Sequence, residues 1–138
     1  MRHTAFAIAG LAAATLVPAT ALAAPPTNFR TPSGNIGCDM RPNEVRCDVL
    51  QHTYTAPPKP ASCDFDWGGA FVVRKHGRGR PVCYSDTVVP PPGRKHTVGY
   101  GTSVYRNGFR CTVARTGVTC TNADAHGFAV SRQAFRLF

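Results

Sequence analysis

Six cysteines fall into a near-repeated pattern, and no other feature constrains the fold of this chain as much. Cys38 and Cys47 are spaced C-x8-C within Ile36-Gly37-Cys38 to Val45-Arg46-Cys47, and Cys111 and Cys120 share that spacing within Phe109-Arg110-Cys111 to Val118-Thr119-Cys120. The third couple, Cys63 and Cys83, lies between them. Ile36, Cys38 and Met40 alternate on one side of Arg41-Pro42-Asn43, and Val45, Cys47 and Val49 alternate on the other. That is the pattern of a β-hairpin. With Pro42-Asn43 as a two-residue tip, residues 41 and 44 form a hydrogen-bonded pair, and 38 and 47 a non-hydrogen-bonded one. Side chains approach most closely at non-hydrogen-bonded pairs, which suits a cross-strand disulfide. The same count about Arg115-Thr116 sets Cys111 opposite Cys120. A loop longer by one or two residues would shift either register, and a short repeat of this kind does not by itself make a duplicated domain.

Whether those sulfurs are oxidised depends on where the chain works. Arg2 and His3 followed by the apolar stretch Ala5 to Val17, a break at Pro18 and the small residues of Ala21-Leu22-Ala23 form a secretory leader. Cleavage is expected after Ala23, leaving residues 24–28 as a flexible lead-in and 29–138 as one domain. No other apolar run nears the roughly 20 residues a membrane span needs. The mature chain is therefore expected to be soluble, released or retained at the cell envelope, and monomeric. An even cysteine count in a short exported chain means disulfides. A zinc site is the competing reading, but the chain has no C-x2-C pair or suitable Cys/His spacing. The expected pairs are Cys38–Cys47, Cys63–Cys83 and Cys111–Cys120, the first and last holding opposite ends of the domain. In about 115 mature residues, short-loop disulfides contribute about 2–3 kcal/mol each. That is a large share of the stability of a domain this size. Core material is supplied by Phe29, Phe65, Trp67, Phe71, Phe109, Phe128, Phe135 and Phe138.

Between and after the hairpins the chain reads as short strands and stiff loops. Ala56-Pro57-Pro58-Lys59-Pro60 and Pro90-Pro91-Pro92-Gly93 are loops. Ala70 to Arg74 and Pro81 to Ser85 flank His76-Gly77-Arg78-Gly79 as a third hairpin with a basic tip. His96 to Tyr105 reads as a strand pair broken by Gly99 and Gly101, and Gly127 to Val130 as a strand. Ser131 to Phe135 has the pattern of a short helix capped by Ser131. The expected fold is mainly β, a small disulfide-stapled antiparallel sandwich or open barrel with that short C-terminal helix.

Without Arg2, 15 Lys and Arg stand against 7 Asp and Glu, so the mature net charge is +8. Such a balance attracts polyanions such as a wall polymer, an anionic surface or nucleic acid, and it is also met in exported proteins that make no use of it. Two Arg-Lys-His runs, Arg74-Lys75-His76 and Arg94-Lys95-His96, form a cationic patch if they lie side by side, and two solvated loop tips if they do not. With Arg78 and Arg80 they are the candidate binding residues. A nuclease-like hydrolase would use His76, His96 or His126 as acid and base with Asp64 or Asp66. However, Asp64-Phe65-Asp66 alone reads more simply as loop carboxylates beside arginines. The chain lacks G-x-S-x-G, H-E-x-x-H and a phosphate-cradling glycine loop, and paired cysteines leave no thiolate nucleophile. Near the C-terminus, Phe128, Val130, Phe135 and Phe138 are expected to dock on the core, with Arg132 paired to an Asp.

Several stretches together resemble a known family. They are Thr31-Pro32-Ser33-Gly34-Asn35-Ile36-Gly37-Cys38, Val82-Cys83-Tyr84-Ser85-Asp86-Thr87, Tyr100-Gly101-Thr102-Ser103, and Gly117-Val118-Thr119-Cys120 through His126-Gly127-Phe128-Ala129-Val130-Ser131-Arg132 to Phe138. Over essentially the whole mature chain the sequence is similar to a family of small secreted actinobacterial (mycobacterial-type) six-cysteine proteins classed as a domain of unknown function. The resemblance implies export, one domain and six structural cysteines, and it brings no activity to transfer. His126, Ser131 and Arg132 lie in its most recognisable stretch and are positions to test. The reading that results is a non-catalytic exported β domain, without cofactor or metal, that binds an anionic envelope polymer or a protein partner through its basic loops. Nucleic acid is a less favoured ligand. The alternatives are a small secreted hydrolase and a secreted enzyme inhibitor whose stapled loops give a rigid edge.

Overall fold

The computed structural model describes residues 16, 18, 19 and 27–138. The leader therefore lies almost entirely outside the described residues. From Asn28 onward the chain folds as two successive antiparallel meanders, each a five-stranded sheet. The first contains β1 (Asn28–Arg30), β2 (Ile36–Met40), β3 (Glu44–Val49), β4 (Ala70–Arg74) and β5 (Arg80–Pro81). The second contains β6 (Thr102–Arg106), β7 (Phe109–Ala114), β8 (Gly117–Thr121), β9 (Gly127–Val130) and β10 (Phe135–Leu137). Among the described residues, no helix is long and apolar enough to cross a membrane.

Both stapled hairpins have the register that their spacing predicts. Cys38 pairs with Cys47 and Cys111 with Cys120, with Cα atoms 4.0 and 4.1 Å apart. Arg41 N–H donates to the Glu44 carbonyl at 2.9 Å, closing the Pro42-Asn43 tip. The third disulfide joins Cys63 to Cys83, and no described cysteine is free. The next strand repeats as well. Phe71 stands opposite Cys47 and Val73 opposite Val45, while Phe128 stands opposite Cys120 and Val130 opposite Val118.

The sheets pack their apolar faces together over Phe29, Met40, Val45, Phe71, Val73, Phe109, Val113, Val118 and Phe128. This corrects the expectation that the two staples hold opposite ends of the domain. Cys47 Sγ lies 3.5 Å from Cys120 Sγ. Neither sulfur carries a hydrogen, so this is a van der Waals contact between two disulfides in the centre of the core. The cause is geometric: equal spacing about equal tips puts both cystines at the same height on the inner faces of sheets that lie face to face. Phe65 is also corrected, since it is 61% exposed on the loop closed by Cys63–Cys83.

Other expectations shift locally. Of the expected lead-in, residues 24–26 lie outside the described residues, while Asn28 belongs to β1 and the Thr27 carbonyl accepts from Met40 N–H at 2.6 Å. The return strand of the third hairpin is only Arg80–Pro81, since proline offers no ladder donor. Residues expected as a strand pair over 96–105 form a 3-10 turn at Arg94–His96, a parallel bridge from Thr97 to Arg30, and the single strand β6. No C-terminal helix forms. Ser131 N–H donates to the Ala134 carbonyl at 2.9 Å, closing a tight turn, and Phe135 and Leu137 pair with Val130 and Phe128.

Tyr54 seals one margin of the core. Its hydroxyl donates to the Gly68 carbonyl at 2.8 Å, and its ring meets Phe135 and Phe71 edge-on. Burial pushes its phenol well above the ordinary tyrosine range. The unfolded chain releases this proton near pH 10 while the folded chain retains it, so folding stability is intact below about pH 10 and falls as pH rises beyond it. Tyr54→Phe is expected to flatten that alkaline loss. At neutral pH it forgoes one hydrogen bond, about 1 kcal/mol. Denaturant midpoints from about pH 7 to 11 check this; equal alkaline slopes in both proteins would refute the assignment.

Candidate functional site

The two basic runs are kept apart by the order of the strands. Arg74, Lys75, His76, Arg78 and Arg80 occupy the β4–β5 turn at one edge of the first sheet. Arg94, Lys95 and His96 lie on the 3-10 turn beside β1, the opposite edge. Three strand spacings separate β1 from β4, about 14 Å. Several members are already engaged. Arg74 reaches Glu44 at 3.5 Å, Lys75 donates to the Asn107 carbonyl beside the Phe109 ring, and Arg78 donates to the Leu137 carbonyl at 3.0 Å. The runs therefore do not form one compact patch.

His76 Nδ1 lies 2.8 Å from Asp124 Oδ2, the only histidine–carboxylate pair among the described residues. It sits on open turns, with the His76 side chain 85% and the Asp124 side chain 47% exposed. Asn122 sets up this end of the molecule and was not singled out from sequence. It is almost fully buried; its side chain donates to the Arg74 and Gly77 carbonyls and accepts from Asp124 and His126 N–H, all within 2.9–3.1 Å. Asp64 and Asp66 are exposed on the loop around Phe65, and Asp66 pairs by its backbone with Tyr84. His52 stacks on Tyr54 at 4.0 Å. Three core sulfurs, those of Cys38, Cys47 and Cys120, lie within 4.8 Å of one another. All are consumed in disulfides, and metals bind the thiolate.

A different region brings polar groups together. Three depressions adjoin around the Ser131–Arg132–Gln133 turn. The first, about 250 Å³, is floored by Thr112, Thr119 and Ala129 and rimmed by Arg136. It shares Gly117 and Ser131 with the second, about 230 Å³, which adds Tyr100, Arg115 and Arg132. The second shares Asn35 and Arg132 with the third, about 170 Å³.

Local chemistry shapes these walls. Thr31 and Ser33 hydroxyls are 3.0 Å apart, and Gly34 turns the chain at φ 73° directly over the Arg30 guanidinium, where a Cβ would fall 1.8 Å from a guanidinium nitrogen. Asn35 then pairs with Gln51 through both side-chain atoms, donating to its carbonyl at 3.0 Å and accepting from its N–H at 2.9 Å. Gln51 in turn accepts from Arg132 at 2.8 Å through Oε1, so Arg132 has an amide partner rather than the expected aspartate.

The electrostatics of this groove are one-sided. None of the chain's seven carboxylates lines any of the three depressions. Arg115 lies over the Tyr100 ring at 4.8 Å and Arg136 over the Phe138 ring at 4.4 Å. An aromatic face orients a guanidinium without neutralising it. Of the test positions, Ser131 and Arg132 are in this groove, and His126 belongs to the β8–β9 turn at the Asn122 end. Tyr100, Arg115, Gln133 and Arg136 gave no sequence signal as a site. The stretches that carry the family resemblance do meet here, because Thr31 to Asn35, Tyr100, Gly117 and Ser131-Arg132 are drawn from them.

A family model described as a family of unknown function (DUF6636) matches residues 9–138. No curated protein and no solved structure matches the chain.

Proposed function

We propose that this chain, which belongs to that family of unknown function, is an exported, non-catalytic binding domain that holds an anionic polymer in its arginine-lined groove. One observation carries the reading: Arg115, Arg132 and Arg136 line adjoining depressions that contain no carboxylate. Guanidinium groups bind carboxylate, sulfate or phosphate through paired, charge-assisted hydrogen bonds. Export agrees with three disulfides in a small chain. The basic loops, including Arg80, Arg94 and Lys95, would act at longer range by raising the encounter rate with a polyanion.

The test is retention on an immobilised acidic polysaccharide against a neutral dextran. Arg115→Ala and Arg132→Ala are each expected to weaken binding about tenfold or more, the worth of one charge-assisted contact. Arg80→Ala and Arg94→Ala should change it by no more than about twofold at physiological salt. Loop variants that weaken retention as much as groove variants would return the site to the basic loops.

The hydrolase alternative rests on His76–Asp124, whose exposure leaves substrate nowhere to be held away from water. The inhibitor alternative has Phe65 in its favour, an exposed aromatic on a disulfide-closed loop. An inhibition screen of exported hydrolases with wild type and Phe65→Ala tests it; inhibition lost in the variant would favour that reading.

A further inference from the structure

We infer that the groove continues as a track across the outer face of the second sheet and takes an extended acidic polysaccharide rather than a single anion. This rests on the groove reading above and adds the ligand's form and class.

The two sheets have unlike outer faces. That of the first is covered: Val89 packs so closely on Gly37 that a Cβ there would meet its backbone at 2.6 Å, and Val72, although it points outward, is 2% exposed. The outward positions of the second sheet are half-buried or exposed, except Gly127 at the start of β9. One cross-strand row runs the full width of that sheet, Ser103–Thr112–Thr119–Ala129–Arg136. Four strand spacings make it about 19 Å long. Thr112, Thr119, Ala129 and Arg136 of this row also line the first depression of the groove, so row and groove are continuous.

The chemistry of the row selects the occupant. Its floor is short side chains, so it is flat, and its hydroxyls both donate and accept, as sugar hydroxyls do. Charge is supplied only by arginine, with Arg136 at one end and Arg110 donating to Ser103 at 3.4 Å near the other. Over residues 102–138 five arginines face one acid, Asp124. A bilayer surface would require exposed apolar side chains, and the row has none beyond an alanine. Single-stranded nucleic acid would require open aromatic faces for base stacking. The two exposed tyrosines nearest the path, Tyr100 and Tyr105, already carry Arg115 and Arg110 over their rings.

Calorimetry with oligogalacturonates, from the monomer to about eight units, tests the track. Affinity should rise at least about tenfold with length and then level off once the row is filled. Ser103→Glu, which puts a carboxylate at the far end of the row and outside the three depressions, should reduce that gain and leave binding of the shortest ligand unchanged. Should the variant fold poorly, amide shift mapping on wild type decides the same point: Ser103 and Arg110, outside the three depressions, should respond to the long ligand and not to the monomer, and equal responses to both would overturn the track. Length-independent binding that is lost in Arg132→Ala overturns the track alone. Failure of every uronate to bind overturns the track and the groove together. An oligonucleotide of equal charge that binds more tightly than the uronate overturns the choice of polysaccharide.

Discussion

Replacing Cys38 with serine is expected to give a protein whose one free thiol is found at two places, Cys47 and Cys111. Once Cys47 loses its partner, its sulfur remains in contact with Cys120 Sγ, which lies 3.5 Å away in the wild type. The Cys47 thiolate attacks Cys120, the Cys111–Cys120 bond breaks, and the electron pair leaves on Cys111. One disulfide is made for one lost, so no oxidant is required. Burial disfavours the thiolate, so the exchange should be slow at neutral pH and faster at about pH 8.5. Cys111→Ser should produce the mirror result, with the free thiol shared between Cys120 and Cys38. Alkylation followed by peptide mapping reads the outcome, and the distant Cys63–Cys83 bridge is the internal control. A label confined to Cys47 after prolonged incubation would show that the contact does not support exchange. Independently, opening the nine-residue separation of Cys38 and Cys47 should cost about 2.5–3 kcal/mol, read as a lower denaturant midpoint.

That contact also marks how far the sequence is legible. Within each hairpin, register follows from local counting, because side-chain direction alternates along a strand and the tip residues set the phase. Asn107-Gly108 carries a local signal of the same kind that the sequence reading passed over: both residues have positive φ, as a two-residue type I′ hairpin turn requires, and the pair closes the β6–β7 hairpin. Ser131 shows where local reading fails. Its hydroxyl accepts from Gln133 and Ala134 N–H at 3.2 and 3.0 Å, much as a helix cap would. A helix and a tight turn share those first bonds. The pairing of Phe135 and Leu137 with β9 decides between them, and nothing local encodes that pairing. The groove was hidden for the same reason. Asn35, Tyr100, Arg115 and Arg132 come from four separate loops, and only the facing of two sheets brings them together.

Asp48→Ala is expected to be among the most damaging single substitutions, at about 3–5 kcal/mol. Asp48 is 2% exposed, and each of its oxygens is used. Oδ1 accepts from Arg46 Nε at 2.8 Å, and Oδ2 accepts from Arg46 Nη2 and Val88 N–H, both at 2.9 Å. Arg46 Nη2 also donates to the Asp86 carbonyl at 2.7 Å, and its guanidinium lies over the Tyr84 ring. This one ion pair thus ties the 84–90 segment over the outer face of the first sheet. Removing the carboxylate strands a largely buried guanidinium and frees the Val88 amide together. Replacing both partners with leucine should cost less than Asp48→Ala alone, because no buried charge is then left unmatched. Denaturant midpoints rank the variants, and Val88 hydrogen exchange should accelerate in Asp48→Ala. If the double variant were the less stable of the two, the damage would lie in packing and not in the stranded charge. The face at risk is the covered one. Any Asp48→Ala protein that still folds should therefore bind acidic polymer through the opposite sheet with unchanged affinity, whereas a parallel loss of binding would mean that ligand is held on the first sheet.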